Sequence, residues 1–312
     1  MSTVVVRPRL GFLGVGWIGR ARLEAVAPFA EVEAIADPAV PGALASLDEL
    51  LELDLDGVVI ATPSALHAEQ TIAALEAGRA VFCQKPLGRN AADAARVVEA
   101  ARAADRLLAV DLSYRSTAAA QAVRRELRHL GHVYAAVLVF HNAYGPDRPW
   151  FYDPQLSGGG CVTDLGIHLV DLALWSLDWP EVSEVSSRLL HHAGHAVEDY
   201  AVARLDVSDG ALISLACSWN LAAGRECVIE ASFYGEAGGA ALRNVDGSFY
   251  DLRAERFRGV GTEVLAEPPD EWGGRVICEW ARRVARGDGF DPEVERVVEV
   301  QRVLDRIYGR QP

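Results

Sequence analysis

The sequence predicts an α/β protein on two sheets: an N-terminal Rossmann-type, doubly wound parallel sheet, then an α/β domain with a large, mainly antiparallel open sheet. Three observations predict it. Short apolar runs alternate with helical patterns from Leu10 to Leu112, as βαβ units around a parallel sheet do. The motif Gly14-Val15-Gly16-Trp17-Ile18-Gly19 stands between the first strand and the first helix. From Val133 onward, strand-like runs follow one another through turn signals such as Ser208-Asp209-Gly210. No helical crossover separates the later ones, so neighbouring strands must run mainly antiparallel.

In order along the chain, Leu10 to Val15 reads as a strand, Trp17 to Ala27 as a helix and Val32 to Ala36 as a strand. Ser46-Leu47-Asp48-Glu49 is a capping box: the serine accepts from the amide three residues on, Glu49 reaches back, and a short helix opens. Gly57 to Ala61 is the next strand, and Ser64 is expected to cap a helix that ends at Gly78, a residue suited to a left-handed helix end. The strand ending at Cys83, a helix capped by Asn90 and the strand Leu107 to Leu112 complete a first domain, placed at residues 1–116. Residues 117–312 then form the second domain. Its strands are Val133 to Phe140, Val182 to Leu190, Ala201 to Val207, Ala211 to Trp219, Cys227 to Tyr234 and Ala240 to Arg243. One helix, Cys161 to Leu177, interrupts them, and Trp272 to Ile307 reads as two helices broken at Gly287-Asp288-Gly289.

Composition narrows the function classes. A chain of 312 residues has room for two domains of ordinary size. No apolar run approaches the ~20 residues of a membrane helix. Met1 to Arg9 shows no charged leader with an apolar core and cleavage site, and is expected to be a ragged end running into the first strand. Cys83, Cys161, Cys217, Cys227 and Cys278 are odd in number, scattered and without CxxC spacing. Neither a disulfide framework nor a metal site is suggested, which points to a reducing, cytoplasmic setting. A formal charge of −14 argues against nucleic acid and anionic membrane as partners, since both reward basic patches.

The chemistry-bearing residues stand at strand ends and on one helix. In the glycine motif the first glycine permits a tight turn, the second lets a pyrophosphate approach the backbone, and the third lets helix and strand pack closely. Asp37 ends the second strand, 23 residues after Gly14. An acid there bonds the ribose hydroxyls of NAD and repels the 2′-phosphate of NADP, and Pro38 to Ser46 holds no basic residue to offset it, so NAD is favoured over NADP. Lys85 is the only lysine among 30 lysines and arginines, and it follows the buried-strand pattern Ala80-Val81-Phe82-Cys83. An ammonium is compact and can give up a proton when partly buried, which a guanidinium cannot. Asp164 and His168 stand at i and i+4 on one helix face after Gly158-Gly159-Gly160, a run giving a side-chain-free approach to whatever that helix faces. A histidine there can take a proton from an alcohol near neutral pH while the carboxylate orients it. Asp171, three residues further, reads as supporting this face. The aromatic-rich loop His141 to Tyr152, with Tyr144 and Trp150, suits the mixed apolar and hydroxyl surface of a sugar, and Arg148 could hold an anionic group or simply be solvated.

Taken together, the glycine motif, Asp37, Ala61-Thr62-Pro63-Ser64-Ala65-Leu66-His67, Gln84-Lys85-Pro86, Tyr114-Arg115 and the segment Gly158 to Asp171 resemble the glucose–fructose oxidoreductase / inositol dehydrogenase (Gfo/Idh/MocA) family over nearly the whole chain. The resemblance implies a Rossmann domain that binds NAD and a second domain that supplies the substrate pocket and the oligomer interface. It implies catalytic roles for Lys85, Asp164 and His168. It implies cofactor contacts at Gly14, Gly16, Trp17, Ile18, Gly19, Asp37, Thr62, Ser64, His67, Gln84 and Lys85, with Arg115 reaching the nicotinamide or the substrate. The implied reaction is hydride transfer between nicotinamide and a secondary alcohol or ketone of a sugar, cyclitol or related polyol. The alternatives are a non-catalytic dinucleotide sensor on the same fold and an imine or enone reductase. Two departures stand out: Gln84 replaces the glutamate usual before the lysine, and Asp37 to Ser46 is too short for the usual helix. A homodimer or homotetramer is expected through the open sheet, with Ile213, Leu215, Val228 and Phe233 on its exposed face.

Overall fold

The structure, a computed structural model, describes residues 7–310; the lead-in through residue 6 lies outside the described residues. The chain divides into two compact units: the residues up to Asp111 with Gly273–Val298, and Leu112–Trp272 with the chain from Glu299.

In the first unit, β1 (Arg9–Leu13), α1 (Trp17–Val26), β2 (Glu31–Ala36), α2 (Leu47–Leu51), β3 (Gly57–Ile60), α3 (Ser64–Glu76), β4 (Ala80–Cys83), α4 (Ala91–Ala104) and β5 (Leu108–Val110) follow in sequence. The strands form one parallel sheet in the order β2-β1-β3-β4-β5. Strand order reverses beside β1, and such a reversal opens a crevice at the carboxyl ends of the strands where ligands bind in folds of this kind. All four residues of β3 and of β4 are buried, which is why both read as unbroken apolar runs. Ser46 caps α2 by accepting from Glu49 N at 3.2 Å, and Glu49 reaches back one residue further than expected, to Ala45 N at 3.0 Å. Asn90 caps α4 through Asp93 N at 2.8 Å. Ser64 does not cap α3: Pro63, with its ring-fixed φ of −59° and an extended ψ, occupies the cap, and Ser64 is the first helical residue.

In the second unit, α5 (Ala118–Leu127), β6 (Val133–Asn142), α6 (Pro154–Ser157), a widened turn (Val162–Gly166) and α7 (Ile167–Ser176) precede the meander. β7 (Val182–Leu190), β8 (Tyr200–Val207), β9 (Leu212–Ser218), β10 (Cys227–Gly235), β11 (Gly238–Asn244), β12 (Leu252–Arg258) and β13 (Gly261–Ala266) complete it. The sheet order is β13-β12-β11-β10-β6-β9-β8-β7, antiparallel throughout except where β6 and β9 pair in parallel. The last two strands carry no apolar signature, because Arg253, Glu255, Arg256 and Glu263 interrupt it; on this edge the charges pair across strands, Arg256 with Glu263.

The expectation for the open face needs correcting. Ile213, Leu215 and Phe233 are buried on the face that α5 and α7 cover, and only Val228 of the four lies on the other side. The open face carries Val137, Val202 and Leu212, between 38% and 41% exposed. Both faces of β9 bear apolar residues, so its alternation could not tell inside from outside.

Chain order also hid the destination of α8 (Arg275–Ala285), which was expected in the second domain. Its stripe Ile277, Trp280 and Ala281 packs on Leu10, Phe12, Val59 and Phe82 of the parallel sheet. Phe82 and Trp280 lie 5.7 Å apart between ring centroids, and a Cβ at Gly57 would come within 2.8 Å of the Trp280 ring. The spacing announces an amphipathic helix but not which sheet it covers. The last helix, α9 (Arg296–Ile307), ends the fold. Among the described residues no helix is long and apolar enough to cross a membrane.

Candidate active site

The first unit gathers the dinucleotide residues at the carboxyl ends of its strands. Gly14 has φ +85°, and a Cβ there would lie 2.7 Å from the Ala61 carbonyl oxygen. A Cβ on Gly19 would lie 2.3 Å from the Gly14 carbonyl oxygen, so this glycine is required by helix–strand packing. Gly16 faces open space within 4 Å. It caps α1 without a side-chain hydrogen bond, which leaves the first-turn amides to a phosphate. Trp17 is exposed beside it and Ile18 half-buried. Asp37 is half-buried, its two oxygens accepting from Val15 N and Ala39 N at 2.9 Å each. Each oxygen keeps a lone pair for a ribose hydroxyl. These residues fit a dinucleotide: a turn, an open approach over Gly16, bare helix amides and an anchored acid.

Thr62, Ser64 and His67 line the next strand end. Thr62 Oγ1 donates to Gln70 at 2.6 Å, and Ser64 is buried. His67 is buried between two loops, Nδ1 at 2.7 Å from the Pro86 carbonyl oxygen and Nε2 at 2.7 Å from that of Thr62. Burial pushes its pKa down against the pull of the two carbonyls, and nearby Lys85 adds to the lowering. The ring thus ties the Thr62 turn to the segment after Lys85. Lys85 is half-buried just beyond β4. The neighbouring Cys83 thiol is pushed up to about 12 by burial, which makes it inert.

Gln84 reveals two residues that the sequence did not single out. Its Nε2 donates to Asp111 Oδ2 in a short hydrogen bond, and Arg22 Nε donates to the same oxygen at 2.6 Å. Asp111 is 3% exposed and Arg22 8%. The carboxylate missing at position 84 is therefore present one strand over. An acid ending the apolar run Leu107-Leu108-Ala109-Val110 was the available signal.

In the second unit, Asp164 and His168 are half-buried; Asp164 lies within the widened turn, where Ile167 N reaches the Val162 carbonyl five residues back, and His168 lies in the first turn of α7. Asp164 Oδ2 accepts from Trp219 Nε1 at 3.1 Å. The His168 ring sits edge-on to Tyr114, centroids 4.9 Å apart, and 6.3 Å from Phe140. Trp150 stacks on Phe151 at 3.8 Å, and Phe151 and Tyr152 both meet Trp219, so the aromatic loop joins the Asp164 neighbourhood. Tyr144 lies apart from that cluster, against Phe249. Arg115 Nε donates to Asp171 at 2.7 Å, a second bond completes the pair, and its guanidinium lies over Trp179. Burial raises the Asp171 pKa, and Arg115 pulls it back. Arg148 is exposed beside Asp147. Among the described residues no cluster of His, Cys, Asp and Glu could hold a metal ion.

Comparison with known proteins agrees with this layout. Residues 8–112 match the NAD-binding Rossmann-fold model of the oxidoreductase family, and residues 117–241 match the GFO/IDH/MocA C-terminal domain. An inositol 2-dehydrogenase of Cereibacter sphaeroides is 30% identical over 255 residues, 75% of this chain and 73% of that protein. A D-glucoside 3-dehydrogenase of Escherichia coli is 28% identical over 211 residues, 62% of this chain. That alignment spans 60% of the relative's own length. The fold matches that of GenD2 from gentamicin A biosynthesis in complex with NAD, with a TM-score of 0.83 at 24% identity, covering 99% of this chain and 95% of the other. With both family domains present in order and a relative matched at this identity along three-quarters of the chain, the protein belongs to the Gfo/Idh/MocA oxidoreductases and carries their NAD-binding Rossmann domain.

Proposed function

We propose that this oxidoreductase transfers hydride between NAD and the carbon of a secondary alcohol or ketone on a sugar, cyclitol or related polyol. The observation that carries the proposal is that Lys85 and the Asp164–His168 pair accompany an intact dinucleotide cradle. A sensor needs the glycines and Asp37 alone. Bound nicotinamide supplies or accepts the hydride. His168 takes the hydroxyl proton in oxidation and returns it in reduction, since the same group serves both directions. Lys85 donates to the reacting oxygen and stabilises developing alkoxide charge, the kind of interaction that usually contributes most. Asp164, held by the Trp219 indole, orients the histidine. Trp150 offers a flat apolar face to the C–H side of a sugar ring.

In this reading residues 1–116 serve the cofactor and residues 117–312 the substrate and the subunit interface, with α8 lent to the cofactor domain. The protein works in the cytoplasm as a homodimer or homotetramer, joined on the open sheet face at Val137, Val202 and Leu212. A shallow groove of about 420 Å³, also lined by Arg188 and Arg204, marks that face. The test is nicotinamide absorbance at saturating NAD against myo-inositol, D-glucose, methyl glucosides and the corresponding ketones. Tight NAD binding with no reduction by any polyol, and no oxidation of NADH by any ketone, would favour the sensor reading instead.

A further inference from the structure

One buried acid takes no part in the proposed reaction. Glu198, 2% exposed just before β8, collects three successive amides at the start of the widened turn. Its side chain accepts from Gly160 N at 3.0 Å and Val162 N at 2.9 Å, and its carbonyl oxygen accepts from Cys161 N at 3.0 Å. Tyr308, beyond the end of α9, donates its hydroxyl to Glu198 Oε1 at 2.7 Å. Burial and the charge of Glu198 push the phenol pKa well up, so the proton stays on the tyrosine. The Tyr308 oxygen is then an acceptor for Thr163 N at 3.2 Å and Thr163 Oγ1 at 3.0 Å. Residues 160 to 163 thus all hang on two residues, three of them on a side chain and Cys161 on the Glu198 carbonyl, and Asp164 follows directly.

The glycine run is explained by the same pair. A Cβ on Gly160 would stand 1.9 Å from the Glu198 carbonyl oxygen, and one on Gly159 would stand 2.1 Å from the Tyr308 hydroxyl. The side-chain-free surface therefore faces Glu198 and Tyr308. A turn of this width is rare and costly relative to a regular helical turn. Relaxation to the regular turn would shift the register by one residue, swinging Asp164 by about 100° around the helix axis. A carboxylate at a helix start is stabilised by the amide dipoles, and hydrogen bonds to a charged acceptor are roughly twice as strong as neutral ones.

We infer that Glu198 and Tyr308 are positioning residues that hold the widened turn open and so fix the bearing of Asp164 on Trp219 and on His168. The inference rests on the reading that Asp164 and His168 serve hydride transfer, and its test separates the two. The chain has seven tryptophans, so ¹⁵N-indole spectra are simple, and Trp219→Phe assigns the Trp219 signal. Tyr308→Phe deletes one hydroxyl; Glu198→Gln keeps the size, removes the charge that strengthens these bonds and puts a donor where Oε2 accepts from Gly160 N. Each is expected to move the Trp219 indole resonance while the other indoles stay in place. Each should also speed amide exchange in residues 160–163 by at least ~10-fold, as local opening becomes easier. NAD affinity should hold within about twofold while single-turnover hydride transfer falls by at least ~10-fold, the scale of a mispositioned orienting group. If Glu198→Gln fails to fold, Tyr308→Phe decides alone. An unmoved Trp219 resonance with unchanged exchange at residues 160–163 overturns the inference. Wild-type protein that moves no hydride fails the functional reading, and the resonance still decides the positioning role.

Discussion

Gln84→Glu would restore the residue usual before the lysine, and the structure predicts that it damages this protein. The Gln84 amide donates to Asp111 Oδ2, so a carboxylate oxygen at that spot would face another carboxylate at hydrogen-bond distance. Two like charges about 4 Å apart at an effective dielectric near 20 repel by about 4 kcal/mol. Arg22 is already committed to Asp111 and to the Gly273 carbonyl, so this is an upper figure. The introduced carboxyl escapes by keeping its proton, which moves its folded-state pKa up by as much as ~3 units from ~4.3. With the folded pKa above the unfolded one, stability is intact below pH ~4.3 and lost as pH rises toward ~7.3. The loss relative to wild type is then about 1.7 kcal/mol at pH 5.5 and about 4 kcal/mol at pH 8. Urea unfolding at the two pH values, with m unchanged, measures it. Adding Asp111→Asn should return most of the stability at pH 8, because an amide can donate to the new carboxylate. Equal losses at both pH values, or no recovery in the double variant, would refute the account of Gln84 and Asp111 as one carboxylate moved across the sheet.

Lys85→Arg tests the lone lysine: a planar guanidinium cannot take the place of an ammonium on the reacting oxygen, so hydride transfer should fall by at least ~10²-fold. NAD titration of the same variant should change far less, and near wild-type turnover would remove Lys85 from the mechanism. NADH should bind at least ~10-fold more tightly than NADPH, a difference of about 1.4 kcal/mol, and Asp37→Ser should narrow the gap; equal binding by the wild type contradicts the role of Asp37. Val202→Asp, on the open sheet face, should shift sedimentation toward monomer, and an unshifted oligomer would move the interface elsewhere.

How far the sequence carried depends on whether a feature is local. The strands β1 to β5 were legible because parallel strands covered on both faces are continuous apolar runs, and Asn90 and Ser46 were legible because caps act within four residues. The cap falls one residue before Ser64 because the ring of Pro63 fixes φ just where the helix begins, and serine chemistry does not report that. The destination of α8 and the buried face of β9 were not legible. Both depend on which of two apolar surfaces finds a partner distant in sequence, and alternation is silent on that.

The same distinction runs through the candidate site. Lys85, Asp37, Asp164 and His168 stand out in the sequence because each is a reactive group at a strand end or on a helix, placed where a short motif locates it. The contacts around them do not stand out, because they join residues far apart along the chain: Asp111 lies 27 residues from Gln84 beside Lys85, Trp219 55 from Asp164, and Tyr308 110 from Glu198 behind the widened turn. Gly159 and Gly160 show how much a sequence can announce without explaining. Their bareness was visible at once, yet its cause is a carbonyl oxygen and a hydroxyl that only the folded chain brings within 2.1 Å of where a Cβ would stand. Substitution at these glycines should therefore disable the protein by displacing Glu198 and Tyr308, with the loss showing first in the widened turn and only through it in hydride transfer.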